Sequence, residues 1–308
     1  AMQRLQIGED AIANGINLLQ HVRELVIQAN SGSQSVESRA VIAQELAGIR
    51  EQMTALANTD DGQGRYLFAG SSDAQAPFTW SGSAVSYTGD QTAIRAQIGS
   101  QRFVVQNDTG DTIFMDVATG NGTFGVTANV ANTGSAVVGQ AALTDANAWD
   151  GDNYTLRFTG PGTYEVVDGG SNVIQSGSYN NGTTISFRGA SLTLSGTPAA
   201  GDSFAVQPSV GQDIFAMVDQ LATLVGQPQA SDAQRAKVQT ALQQGLAGLQ
   251  NAEDRLSGIR AGMGHRMNAI EDALSVADAQ NLHATTAVGE LRDLDYAEAI
   301  SRLQMEMT

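Results

Sequence analysis

The chain has 308 residues, 16 Lys+Arg against 32 Asp+Glu, no Cys, and a formal net charge of −16. Its length accommodates two domains with real cores. The acidic excess argues against nucleic acid or anionic lipid as a partner, and the missing thiols exclude disulfides, thiolate chemistry and Cys-based metal sites.

No apolar run approaches a membrane span, and no signal peptide opens the chain. With 6% aromatics and 34 Gly, many turns and a modest core are expected. Both ends fall inside amphipathic sequence, at Ala1-Met2 and at Met305-Glu306-Met307-Thr308. The chain is therefore expected to start and stop within a longer protein.

Leu5, Ile12, Leu19 and Val26 repeat every seven residues and predict a helix over about 3–29. Asn30-Ser31-Gly32-Ser33 stops it, with Gly32 suited to a left-handed cap. Ile42, Leu46, Ile49, Met53 and Leu56 mark a second helix over about 36–58, with Ser35 as N-cap and Glu37 in the first turn. The short connection makes the two helices antiparallel neighbours.

Asp60-Asp61-Gly62 breaks the helix, and the period changes to that of strands. Arg65–Ala69, Ala84–Thr88, Thr92–Ile98 and Arg102–Val105 read as strands, with hairpin turns at Gly89-Asp90 and Gly99-Ser100. From 116 to 208 Lys is absent, and fifteen of the 34 glycines lie between Gly120 and Gly201. Tyr154–Phe158, Thr163–Val167, Val173–Ser178, Thr184–Phe187, Leu192–Leu194 and Phe204–Val206 read as strands. Gly160-Pro161-Gly162 and Asp168-Gly169-Gly170 read as turns. No period assigns a structure to 118–142.

A helical face returns with Ile214, Phe215, Val218, Leu221 and Val225, and Gly226-Gln227-Pro228 ends it. Ser231-Asp232 then opens a long helix. Its seam runs Val238, Leu242, Gly245, Leu249, Ala252, Leu256, Ile259 and Met263. After a shift at Met267 it resumes at Ile270, Leu274, Ala277, Asn281, Ala284, Val288 and Leu291. Steps of four and three are those of a coiled coil or narrow bundle. About sixty residues give a rod of roughly 90 Å, too long for the interior of a globule. The first helix spans only about 40 Å, so the stretch beyond about Gln280 is expected to be short of partners.

The fold class is α+β. It is an elongated antiparallel helical bundle made from the N- and C-terminal segments, with an inserted all-β domain. Residues 1–115 plus 209–308 form the rod with a small β-hairpin region, and 116–208 form the inserted unit.

Chemistry is sparse. His21, His265 and His283 lie on predicted helices with no second ligand at helical spacing. Asp150-Gly151-Asp152-Asn153 starts like a Ca²⁺ loop but lacks its closing Glu. Gly120-x-Gly122 precedes no helix, and no Ser sits on a G-x-S-x-G elbow. No catalytic residue, metal or cofactor is expected, and the chain does not read as an enzyme.

Leu19 to Ala29 followed by Asn30-Ser31-Gly32 resembles the first helix of bacterial flagellins and their relatives. Arg260-Ala261-x-x-Gly264-x-Arg266-x-Asn268-x-x-Glu271 and Asp293-Leu294-Asp295-Tyr296-Ala297-Glu298 resemble the C-terminal helix. Gly64-Arg65-Tyr66-Leu67-Phe68-Ala69-Gly70 is similar to the hook–filament junction branch of that family, hook-associated protein 3. So is Gly201-Asp202-Ser203-Phe204 leading to Gln212-Asp213-Ile214-Phe215.

The resemblance implies a structural subunit in a ring of its own copies, between hook-associated protein 1 and flagellin. It implies export unfolded by the flagellar type III apparatus with a chaperone, and an extracellular location. The family's terminal coiled-coil segments look absent, so this piece is expected to be monomeric. Inter-subunit contacts carried from the family fall on Arg23, Glu24, Gln28, Arg260, Asn268, Glu271, Asp293 and Asp295. Leu25, Val26 and Ile270 read instead as seam within the chain. Charge reversal at Arg23 and Arg260 is expected to weaken ring formation and leave the fold intact.

The sequence departs from many flagellins at His21, where they carry Arg in a surface that an innate receptor recognises, so that recognition is not expected here. Two other readings remain at this point. One is a filament flagellin with an unusual insertion. The other is an adhesin or glycan-binding module using Trp80, Trp149 and the Thr/Asn-rich strands.

Overall fold

The computed structural model of the chain describes residues 2–32, 34–81 and 84–307, with side chains throughout these except at 293–295, 297 and 298. Four helices form a slender stalk: α1 Met2–Asn30, α2 Val36–Ala57, α3 Ile214–Gly226 and α4 Asp232–Glu306. The Ser35 side chain accepts from Ser38 N at 3.1 Å and caps α2. Ser231 caps α4 in the same way through Gln234 N.

Each helix runs antiparallel to its main neighbours. Gly8 of α1 lies beside Met263 of α4, and Gly15 beside Leu256. His21 reaches Glu45 across α1 and α2. Asp219 of α3 pairs with Arg50 of α2, and Gly245 of α4 receives Leu221 of α3. Where a Cβ on Gly245 would stand, the Leu221 Cδ2 is only 2.4 Å away, so the bare backbone lets the two helices close.

Fourteen strands lie among the described residues. The stalk base carries β1 Phe78–Ser81 paired with β2 Ala84–Tyr87, and β3 Arg95–Gln97 paired with β4 Phe103–Val105. A short π-helical turn, Asp111–Met115, follows. The neck pairs β5 Val117–Ala118 with β14 Gly211–Gln212.

Between the neck strands come β6 Phe124–Ala128, β7 Val137–Leu143, β8 Tyr154–Gly160, β9 Thr163–Val167, β10 Val173–Ser178, β11 Thr184–Phe187, β12 Ala190–Ser195 and β13 Ser203–Pro208. They make an antiparallel sheet of order β10-β9-β8-β13-β6 and a second of order β11-β12-β7. The two inner faces share a core of Phe124, Val138, Leu156, Phe158, Ile185, Leu192 and Phe204. The stalk and its base share a different core, running from Leu5 to Ile270 through Phe68, Phe114 and Phe215. The architecture is thus an antiparallel bundle of the terminal segments with an inserted all-β unit.

Several local expectations need correction. Arg65–Ala69 is not a strand: it holds one bridge, Asp60 to Tyr66, and is otherwise turn. Leu67, Phe68 and Ala69 are all buried in succession, so no pleat alternates there. Gly89-Asp90 joins no hairpin, because β2 pairs back with β1 and β3 forward with β4. Gly99-Ser100 does lie in the β3–β4 turn. The unassigned 118–142 stretch contains β6 and β7. The predicted 92–98 strand shortens to β3, because Ile94 N is taken by the Asn107 side chain at 2.7 Å.

Candidate assembly interface

The Gly64–Gly70 motif ties the base to the helices. Phe68 is 1% exposed and meets Phe114 edge-on at 5.6 Å. Phe78 joins Phe114, Phe215 and Tyr87 at 5.5, 5.3 and 5.1 Å to complete an aromatic cluster at favourable ring separations. The Phe68 carbonyl accepts from Gly110 N at 2.7 Å and from the Tyr87 hydroxyl at 3.0 Å. Burial, with the Asp111 and Asp90 charges, pushes the Tyr87 hydroxyl up to about 12, which keeps it a donor at every ordinary pH.

Gly70 needs its positive φ of 70°, and a Cβ there would strike the Asp90 carboxylate. That carboxylate accepts from Ser71 Oγ, Ser71 N and Thr92 N, which holds it far below the usual carboxylate range. The motif is therefore internal scaffolding. It sets where the β3–β4 hairpin sits.

The structure divides the predicted interface residues. Arg23 Nε donates to Glu253 at 3.0 Å and a terminal nitrogen to Gln250 at 2.9 Å. Arg260 pairs with Glu9. Both arginines clamp α1 to α4 within one chain. Charge reversal at either would set Glu against Glu253 or Glu9, so a loss of stability is expected beside any effect on assembly.

Glu24, Gln28, Asn268 and Glu271 are exposed. Glu24 lies 3.6 Å from His21, which itself reaches Glu45 at 3.0 Å. By the α1–α4 register, Glu24 and Gln28 stand about 30–40 Å along the stalk from Asn268 and Glu271, so the four form two patches. The side chains of Asp293 and Asp295 lie outside the described residues.

Two surfaces were missed or only half seen in the sequence. The first is the far part of α4. Among the described side chains Ile270 is the last buried one of α4, and Leu274, Leu282, Val288, Leu291, Ile300 and Leu303 are all exposed. The uncovered stretch begins earlier than the expected Gln280.

The second is a polar stripe on the near part of α4. Lys237 Nζ donates to the Val130 and Asn132 carbonyls, and Thr240 Oγ1 and Gln244 Oε1 accept from Val138 N and Val126 N. Asn251 donates to the Ala118 and Gly120 carbonyls. Steps of three, four and seven put these on one helix face, which grips the backbone of the β unit. A cleft of about 610 Å³ remains between that unit and α3–α4. Side chains that bond backbone across 100 or more residues leave no periodic trace beyond polar spacing. Sequence reading therefore did not single them out.

Residues 1–73 match the bacterial flagellin N-terminal helical region. Residues 127–208 match the D2-like domain of flagellar hook-associated protein 1. Flagellar hook-associated protein 3 of Escherichia coli K12 is 36% identical over 114 residues, 37% of this chain. The aligned part spans about a third of the curated relatives it matches, 35% and 36% of their lengths.

Solved structures align more fully. FlgL of Xanthomonas campestris is 35% identical, with 89% of this chain and 90% of that one covered and a TM-score of 0.85. Hook-associated protein 3 of Legionella pneumophila is 30% identical, with 95% and 93% covered and a TM-score of 0.90.

Proposed function

The chain belongs to the flagellar hook-associated protein 3 family, FlgL, and from that premise we propose that it is a structural subunit of the hook–filament junction of a bacterial flagellum. One observation carries the reading. Along α4 from Leu274 to Leu303, the apolar side chains of Leu274, Leu282, Val288, Leu291, Ile300 and Leu303 are exposed. An exposed apolar stretch about 45 Å long has no use on an isolated chain and marks a surface for other subunits.

In this reading residues 1–115 plus 209–308 form the load-bearing stalk, and 116–208 form an outer unit. The partners are further copies of the chain, hook-associated protein 1, flagellin and an export chaperone. The site of action is extracellular, at the junction. Glu24, Gln28, Asn268 and Glu271 contribute polar contacts to neighbouring subunits. Arg23 and Arg260 act indirectly, by fixing the α1–α4 face that presents those contacts. The role is mechanical and asks no catalysis of the chain.

Deletion of the gene in its flagellated host, with imaging of the cells, tests the reading. Hooks without filaments, with flagellin lost to the medium, are expected. Filaments of normal length on the deletion strain would overturn it.

A further inference from the structure

The base hairpin carries an unusual surface for so acidic a chain. In β3 and β4, Ala96 and Val104 face the stalk core. The other face presents Arg95, Gln97 and Phe103, with Arg102 beside the turn. Phe103 is 59% exposed, while its neighbour Val104 is 7% exposed. Arg95 and Arg102 are exposed, and among the described residues neither has an ion pair. Arg4, Arg23, Arg50, Arg157, Arg260 and Arg266 each pair with a carboxylate, whereas Arg95 and Arg102 share the lack of an ion pair with Arg188, Arg255 and Arg292 but together flank one exposed ring. Two unpaired guanidinium groups around an exposed ring suit an acidic partner with an apolar centre.

The same chain displays such a surface at the other end of its stalk. Glu37, Val41 and Glu45 lie four residues apart on α2 and are exposed, Val41 at 62%. The His21–Glu45 contact brings Glu24 of α1 alongside. The result is three carboxylates around Val41, with His21 between two of them.

The two surfaces do not meet within one molecule. Arg266 bonds the Val105 carbonyl and pairs with Asp108, which fixes the hairpin at the level of Met263 and Gly8. Glu24 stands about 24 Å further along α1.

We propose that the outward face of the β3–β4 hairpin docks on the Glu24–Glu37–Val41–Glu45 patch of a second copy of this chain. Unlike surfaces on two copies make a heterologous contact, which closes into a ring or continues as a helix. The proposal rests on the reading that copies assemble side by side, and it adds which surfaces meet. Opposite charges around a small apolar centre would set register and speed encounter.

The absence of Cys supplies the test. Full-length protein carrying Arg102→Cys and Val41→Cys, assembled on flagella and mildly oxidised, is expected to give a disulfide-linked ladder of dimers and higher species. Each single variant is expected to remain monomeric on a non-reducing gel. Absence of the ladder from flagella with attached filaments would overturn the docking and leave the junction function standing. A disulfide-linked dimer from Arg102→Cys alone would also overturn it, since that reports a symmetric contact.

A charge arm decides the matter if the cysteine variants fail to assemble. Arg95→Glu with Arg102→Glu is expected to cut assembly at least tenfold. Adding Glu37→Arg with Glu45→Arg in the same chain is expected to restore it. No recovery would count against the pairing. A photoreactive residue at position 103 that crosslinks a different flagellar protein would assign the hairpin to that partner instead.

Discussion

The near and far parts of α4 are one uninterrupted helix with the same kind of apolar repeat, shifted once at Met267, yet they face opposite environments. Val238, Leu242, Leu249, Leu256 and Met263 are at most 4% exposed, whereas Leu274, Leu282, Val288 and Leu291 are 56–68% exposed. Nothing in side-chain type separates the two sets. What differs is that α1 and α3 cover the first and not the second. A four-and-three repeat therefore specifies that a seam exists and is silent on who fills it.

The largest expected effect sharpens this contrast. Leu256→Ala removes a fully buried side chain that packs beside Gly15 of α1, and should cost about 2–5 kcal/mol in denaturant unfolding. Leu291→Ala, the same change on the far part, should stay within about 0.5 kcal/mol in the dissociated chain. Equal losses at both sites would mean that the far seam is covered within one molecule.

Glycines give the second contrast, with a change of sign. At Gly245 a Cβ would meet Leu221 at 2.4 Å, so Gly245→Val should destabilise by about 1–3 kcal/mol through overpacking. At Gly289 a Cβ would meet nothing within 4 Å. Gly289→Ala should stabilise by up to about 1 kcal/mol, because only helix propensity changes. Thermal melts of the two variants should move in opposite directions. A shared direction would show that α3 does not press on α4 at Gly245.

The same distinction governs what the sequence made legible. α3 was readable because Ile214, Phe215, Val218, Leu221 and Val225 recur at helical spacing and all are buried. β9 and β10 were readable to the residue because turn chemistry marks their ends, at Gly160-Pro161-Gly162 and Asp168-Gly169-Gly170. β6 was not, although Phe124 and Val126 alternate inward, because Gly125, Thr127 and Ala128 dilute the apolar signal below that of a turn-rich loop. Arg65–Ala69 failed in the opposite way: its bulky residues suit a strand, but tertiary contacts bury three in a row.

The assembly residues follow the same division. Helical spacing marked Arg23 and Arg260 as polar. Their partners, Glu253 and Glu9, lie 230 and 251 positions away, at a register that only packing determines. The hairpin arginines carried no family motif and were passed over.

That register suggests the finest contrast along α4. Arg23 and Glu253 are partly buried, with side chains 27% and 13% exposed, and their pairing joins α1 to the near part. Arg23→Ala should therefore lower stability by about 0.2–1 kcal/mol at low salt, and the loss should shrink as salt rises. Glu253→Ala should cost a similar amount, and the double variant less than the sum, since both remove one interaction. Arg292 is exposed on the far part of α4, and Arg292→Ala should leave the dissociated chain unchanged at every salt concentration. A double-mutant cycle in low and high salt separates these outcomes. Strict additivity for Arg23 and Glu253 would mean that the clamp contributes nothing, and that apolar packing alone aligns α1 with α4.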